Sequence, residues 1–163
     1  MRLALVSDTH IPERAERIPD WVREELQAAD HAVHAGDFQT VAVLEELREL
    51  TAGLTAVRGN IDPEGIGLPV VATLTAGGVR FVVTHGSGPL DGYRERVARA
   101  VADHAEGPTV GISGHTHRAM DETVDGYRLL NPGSATGASP ATRTTMMVAR
   151  VADGTVDVEL LEE

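Results

Sequence analysis

Each of the first three apolar runs in this chain stops at a short polar block, and that pattern leaves few folds open. Arg2–Ser7, with Leu3, Ala4, Leu5 and Val6 in an unbroken row, reads as a strand buried on both faces. Asp8-Thr9-His10 follows it. His31–Ala35 reads as a second strand ending at Gly36-Asp37, and Leu54–Arg58 as a third ending at Gly59-Asn60. Helices are predicted between them. One runs from Asp20 as N-cap through Ala28; the other follows Thr40 and places Val41, Leu44, Leu47 and Leu50 on one face. The order β-α-β-α-β calls for a parallel sheet with right-handed crossovers. Open sheets of that kind collect ligands at the carboxyl ends of their strands.

The rest of the chain changes character. Val70–Ala76 and Val79–Thr84 flank Gly77-Gly78 as a hairpin, and His85-Gly86 comes next. Asp91–His104 reads as a helix. Val110–Ser113 is a short strand that runs into Gly114-His115-Thr116-His117. Arg118–Val124, Tyr127–Leu130, Thr144–Val151 and Thr155–Leu160 read as strands turned at Asp125-Gly126 and Asp153-Gly154, so this half is expected to be mostly antiparallel. There is no repeat, low-complexity run or linker, and 163 residues fit one domain over 1–163. Aromatic residues are only 3% of the chain, so the core must be built from Val, Leu, Ile and Ala.

The five polar blocks together offer two carboxylates, one amide oxygen and four imidazoles. Each block alone has an ordinary reading. Asp8 and His10 would share a side of an extended backbone and reach one ion, or serve as a loop-capping Asp and a surface His. Asp37 and Gly59-Asn60 read equally well as turns, and His85 as a packed or surface histidine. Gly114-His115-Thr116-His117 is the most specific, with two imidazoles two residues apart behind a glycine. What the ordinary readings leave unexplained is that every block follows a strand, as a shared pocket requires. Two metals in one pocket point to phosphate ester chemistry. Cysteine is absent, which excludes disulfides, thiolate catalysis and sulfur ligation. Oxygen and nitrogen donors suit Mn, Fe, Ni, Co or Zn better than Mg or Ca alone.

The formal charge is −11, and all 14 basic residues are arginine. An acidic chain is a poor partner for nucleic-acid backbone. Loss of lysine fits a GC-rich coding sequence, and the acid excess suggests a high-salt cytoplasm. The apolar N-terminus is too short for a signal peptide and no run approaches a membrane span, so a soluble cytoplasmic protein is expected.

Asp8-x-His10, Gly36-Asp37, Gly59-Asn60, His85 and Gly114-His115-x-His117 resemble, in order and spacing, the five motifs of the calcineurin-like metallophosphoesterases. The resemblance runs from Arg2 to at least Ser134. It is strongest to the small single-domain phosphodiesterase branch of bacteria and archaea, which also carries a segment like Asn131-Pro132-Gly133-Ser134. It implies an α/β (or α+β) four-layer sandwich, two facing mixed β-sheets flanked by helices. It implies that Asp8, His10, Asp37 and His117 hold one divalent ion and Asp37, Asn60, His85 and His115 a second, with Asp37 shared. Mn is the first choice of metal on this resemblance. The implied activity is hydrolysis of a small phosphate ester, a phosphodiester before others, by in-line attack of a hydroxide shared between the ions. Asp37, Asn60 and His85 carry the chemistry, and Asn60 also meets the substrate. Gly133, Ser134 and Arg118 are further candidates for the pocket wall.

One departure bears on mechanism. Many members of the family place His directly after the motif Asn as proton donor or phosphate contact, and here that position is Ile61. Asp62 and His34 are candidates for that task by their place in the sequence only. A non-catalytic, protein-binding scaffold is the main alternative, since a eukaryotic retromer subunit resembles the family and works through protein contacts. An amidohydrolase barrel would need a longer chain, and the nuclease branch carries capping segments for which there is no room. Proteins of this branch are often dimers or tetramers.

Overall fold

The first strand, β1 (Arg2–Val6), is buried on both faces, and its alternate residues serve two different cores. Leu3 and Leu5 point to one side, Ala4 and Val6 to the other. Fully burying a side chain the size of Leu is worth about 1.5–3 kcal/mol, so this one short strand helps to hold three layers together.

The computed structural model describes residues 1–163. After β1 come α1 (Asp20–Ala28), β2 (His31–His34), α2 (Val41–Leu50) and β3 (Leu54–Ala56). Then follow β4 (Val71–Ala76), β5 (Val79–Thr84), α3 (Tyr93–His104), β6 (Thr109–Ile112), β7 (Ala119–Val124), β8 (Tyr127–Pro132), β9 (Thr145–Ala152) and β10 (Thr155–Glu162). They form two mixed five-stranded sheets, ordered β10-β9-β1-β2-β3 and β4-β5-β6-β8-β7. The sheets face each other across a core that includes Leu3, Leu5, Val33, Phe81, Ile112 and Met147. Helices α1 and α2 cover the outer face of the first sheet through Val22, Leu26, Leu44 and Leu47. Helix α3 covers the second through Val97, Ala98 and Val101, packed on Val82 and Leu129. The result is the four-layer α/β/β/α sandwich expected from the sequence.

The three parallel strands β1, β2 and β3 are as anticipated, and the differences are local. The N-cap of α1 is Pro19 rather than Asp20, which is the first helical residue and pairs with Arg17. Thr40 sits at the N-cap of α2 but makes no capping bond; its hydroxyl donates instead to Ile11 O, 3.4 Å away. The buried stripe of α2 is Val43, Leu44 and Leu47, while Val41 is 41% exposed. The second sheet is less antiparallel than expected. β5, β6 and β8 run parallel, because α3 makes a crossover between β5 and β6 and the β7–β8 hairpin returns β8 beside β6. The Asp125-Gly126 turn has φ of 51° and 87°, the paired left-handed residues of a type I′ hairpin. No helix is long and apolar enough to cross a membrane.

The five polar blocks follow β1, β2, β3, β5 and β6. All of them arrive at one end of the sandwich.

Candidate metal centre

The blocks converge through sharp backbone turns rather than through extended strand ends. Asp8, His10, Asp37, His115 and His117 all have positive φ, between 45° and 74°. L residues with bulky side chains rarely adopt this conformation, at a cost of roughly 1–3 kcal/mol each. The expectation that Asp8 and His10 share a side because the chain is extended is therefore corrected. They meet because each turns back on itself, and the same holds for His115 and His117.

Two groups result. Asp8, His10 and His117 lie within coordinating distance of one another, and so do Asp37, His85 and His115. In the first, His10 Nε2 is 3.1 Å from His117 Nε2, and Asp8 Oδ1 is 3.3 Å from His117 Nε2. In the second, Asn60 Oδ1 is 3.0 Å from His85 Nε2 and 3.1 Å from His115 Nδ1. Asp37 Oδ2 lies between the groups, 3.5 Å from His10 Nε2 and 3.2 Å from His85 Nε2. All seven residues singled out in the sequence are brought together. Five of them are buried; Asn60 is exposed and His115 half-buried, so the site opens on that side.

The hydrogen bonds behind these atoms decide which way each donor faces. His85 Nδ1 donates to Ala35 O at 2.7 Å and His117 Nδ1 to Ala138 O at 2.8 Å, which leaves the Nε2 lone pairs facing the centre. His115 is reversed: Nε2 donates to Gly88 O at 2.7 Å, so Nδ1 faces inward. Asp8 Oδ2 accepts from Ser7 Oγ and His115 N–H. Its Oδ1, fully buried, has no hydrogen-bond partner. An orphaned carboxylate oxygen among inward-facing imidazole lone pairs is costly without a cation and well satisfied with one. The donor set, all oxygen and nitrogen, fits borderline divalent metals.

The charges tell the same story. Burial pushes the Asp8 and Asp37 carboxyls up, yet the imidazoles that face them, with Ile61 N–H at Asp37, hold both below their ordinary values. Burial likewise works against a charged His85 and His117, but the facing carboxylates raise both. The two acids are kept ionised and draw positive charge into the centre.

Several contacts were not visible in the sequence. Asp62 accepts three backbone N–H groups, from Asp37 at 2.9 Å and from Gly59 and Gln39 at 2.8 Å, and so ties the second ligand loop to the third. Asn131 Nδ2 reaches Gly114 O and Thr116 Oγ1, and holds the histidine loop. Ser134 is not in the pocket wall; it is buried and donates to Asp8 O at 2.8 Å. Gly133 N–H is likewise spent on Asn131 Oδ1. Arg118 is exposed, in a recess beside His117.

His34 stands behind the centre. It is stacked on Phe38 with ring centroids 3.6 Å apart, and Nδ1 accepts from Gly36 N–H. Burial pushes its pKa down to about 3, so it stays neutral in the fold. The unfolded chain protonates it near pH 6.5, so stability is lost as pH falls below that value, by up to about 1.4 kcal/mol per pH unit. Melting curves at pH 7 and pH 5 should show a shallower acid loss in His34→Gln than in wild type; equal losses would show that the residue contributes nothing to acid sensitivity.

A sandwich with two clustered Asp/His groups at its strand ends defines a metal-binding phosphoesterase architecture, and comparison with known proteins agrees. Residues 1–154 match the calcineurin-like phosphoesterase superfamily domain, and the chain belongs to that family. It is 33% identical over 162 residues to a probable metallophosphoesterase of Methanothermobacter thermautotrophicus, covering 99% of this chain and 92% of that protein. A phosphodiesterase of Methanocaldococcus jannaschii is 26% identical over 152 residues, covering 84% of this chain and 86% of the relative. Among solved structures, wild-type Vps29 of Entamoeba histolytica in complex with zinc superposes with a TM-score of 0.78 at 26% identity, covering 99% of both chains.

Proposed function

We propose that this protein is a dimetal phosphodiesterase acting on a small phosphate ester. The observation that carries the reading is the position of Asp37 Oδ2 between two sets of inward-facing imidazoles. Asp8, His10 and His117 would hold the first cation and Asn60, His85 and His115 the second, with Asp37 available to both. Divalent cations bound there supply Lewis acidity toward phosphoryl oxygens and a nucleophile available at neutral pH. The chain's own contribution is orientation. The carbonyls of Ala35, Ala138 and Gly88 fix three imidazole tautomers, and Ile61 N–H holds Asp37 Oδ1 at 3.1 Å so that Oδ2 faces inward. The Asn60 Oδ1 is turned inward, which leaves its exposed amide N–H groups to meet a phosphoryl oxygen at the open side. Mn is the expected metal, ahead of Zn, Ni, Fe or Co. The M. jannaschii phosphodiesterase supports the diester preference, and the zinc complex of Vps29 supports metal binding on this fold.

The test is turnover of bis-p-nitrophenyl phosphate by the purified chain reconstituted with each metal, together with metal analysis. Two bound ions without turnover would favour a binding scaffold.

Leaving-group protonation is the weak step. Ile61 carries no proton, and neither neighbouring candidate replaces it. His34 lies buried behind the Asp37 loop, and both oxygens of Asp62 are occupied by backbone N–H groups. Rates across a series of aryl phosphodiesters should therefore rise steeply as the leaving-group pKa falls. A flat series would mean that a proton donor exists.

A further inference from the structure

Eight of the 14 arginines lie against a carboxylate. Arg58 and Arg96 do not, in a chain with 25 acidic residues. Both line a cleft of about 210 Å³ that His85, Gly86 and Ser87 also line. The Arg58 side chain is half-buried and has no protein acceptor. Arg96 Nη2 donates to Gly86 O and Pro89 O, both at 2.9 Å, which holds the guanidinium in place and leaves Nη1 without a protein acceptor. Val70, Val97 and Ala100 supply apolar walls. Two cations lining one cleft repel each other, and no carboxylate of the protein pairs with either.

The cleft adjoins the metal centre by construction. Arg58 directly precedes Gly59-Asn60, and Gly86-Ser87 directly follows His85, so the cleft is built on the loops that carry two of the inward-facing ligands. A planar guanidinium matches phosphate oxygens two at a time. We propose that Arg58, Arg96 and Ser87 form an anion subsite that takes a second phosphate group of the substrate, next to the phosphate that reacts. The assignment rests on the phosphoesterase reading for the reacting group, and the natural substrate is then a diester with an additional phosphoryl group.

The test is titration of the zinc-loaded full chain with inorganic phosphate, followed by calorimetry and by ¹⁵N–¹H spectra. Two phosphates per chain are expected, one at the metals and one that shifts the Ser87 amide and the Arg96 Nε–H. Arg58→Met should bind only the metal-site phosphate. Arg58→Lys, which keeps the charge and loses the fork, should bind the second phosphate about tenfold more weakly than wild type. Arg99→Met, the same charge change on the exposed side of α3, should still bind two. In turnover, kcat/KM for a diester carrying a second phosphate, divided by that for the same diester without it, should fall about tenfold or more in Arg58→Met. A single phosphate in wild type, two phosphates in Arg58→Met, or an unchanged ratio would overturn the subsite. Absence of any turnover by wild type would count against the phosphoesterase reading, and the phosphate stoichiometry would still decide the subsite.

Discussion

Asp37→Asn should lower kcat/KM toward bis-p-nitrophenyl phosphate by at least about a thousandfold. Asp37 is placed to serve both ligand groups, with Oδ2 3.5 Å from His10 Nε2 and 3.2 Å from His85 Nε2. Asparagine has the same size and can keep the bond from Ile61 N–H. It loses a negative charge and places either a neutral oxygen or an NH₂ group where the shared oxygen stood. The fold should survive, so melting temperature and activity will separate. Metal analysis of the same sample should show one ion or fewer in place of two. Full occupancy with undiminished turnover would mean that Asp37 is not shared.

Gly59→Ala is expected to act on the same centre through backbone crowding. A Cβ at this position would lie 2.0 Å from Asp37 Oδ1 and 2.4 Å from Asp37 N. The second contact is main chain, and it is pinned, because Asp37 N–H and Gly59 N–H both donate to Asp62 Oδ2. Overpacking of this kind typically costs 1–3 kcal/mol, or several degrees of melting temperature for a chain of this length. The larger effect should be on chemistry. Displacing Asp37 and Asn60 together should reduce turnover by at least roughly a hundredfold. Gly65→Ala is the matched control, since a Cβ there meets nothing within 4 Å. Equal behaviour of the two variants would show that the approach of the second and third ligand loops is not tight.

These two predictions differ in how far they were readable from the chain. Asp37 is visible as a carboxylate after an apolar run and a glycine, and its shared role is implied by the resemblance to the calcineurin-like family. The crowding at Gly59 is not, because it depends on how closely two loops from different strands approach. The same division runs through the molecule. β1, β2 and β3 were legible because apolar runs and crossover helices leave one arrangement. The parallel course of β5, β6 and β8 was not, because strand order within a sheet is set by packing, and Asp-Gly turns report only on the neighbours they join. The seven inward-facing residues were legible as types. The left-handed backbones of five of them were not, nor were the carbonyls of Ala35, Gly88 and Ala138 that orient the imidazoles, since any residue supplies a carbonyl. Asp62 is visible in the sequence as a nearby acid, but its three N–H partners come from two separate loops, so its task is not readable there.

The left-handed conformation at residues 8, 10, 37, 115 and 117 has an evolutionary corollary. Five of the seven side chains gathered at the metal centre occupy positions where glycine would be more comfortable. A population of variants screened only for heat tolerance should drift toward glycine or asparagine at those five places, and the survivors should melt later while hydrolysing nothing. On the proposed phosphoesterase reading, durability and turnover would compete residue by residue, and laboratory selection for one would record the toll on the other.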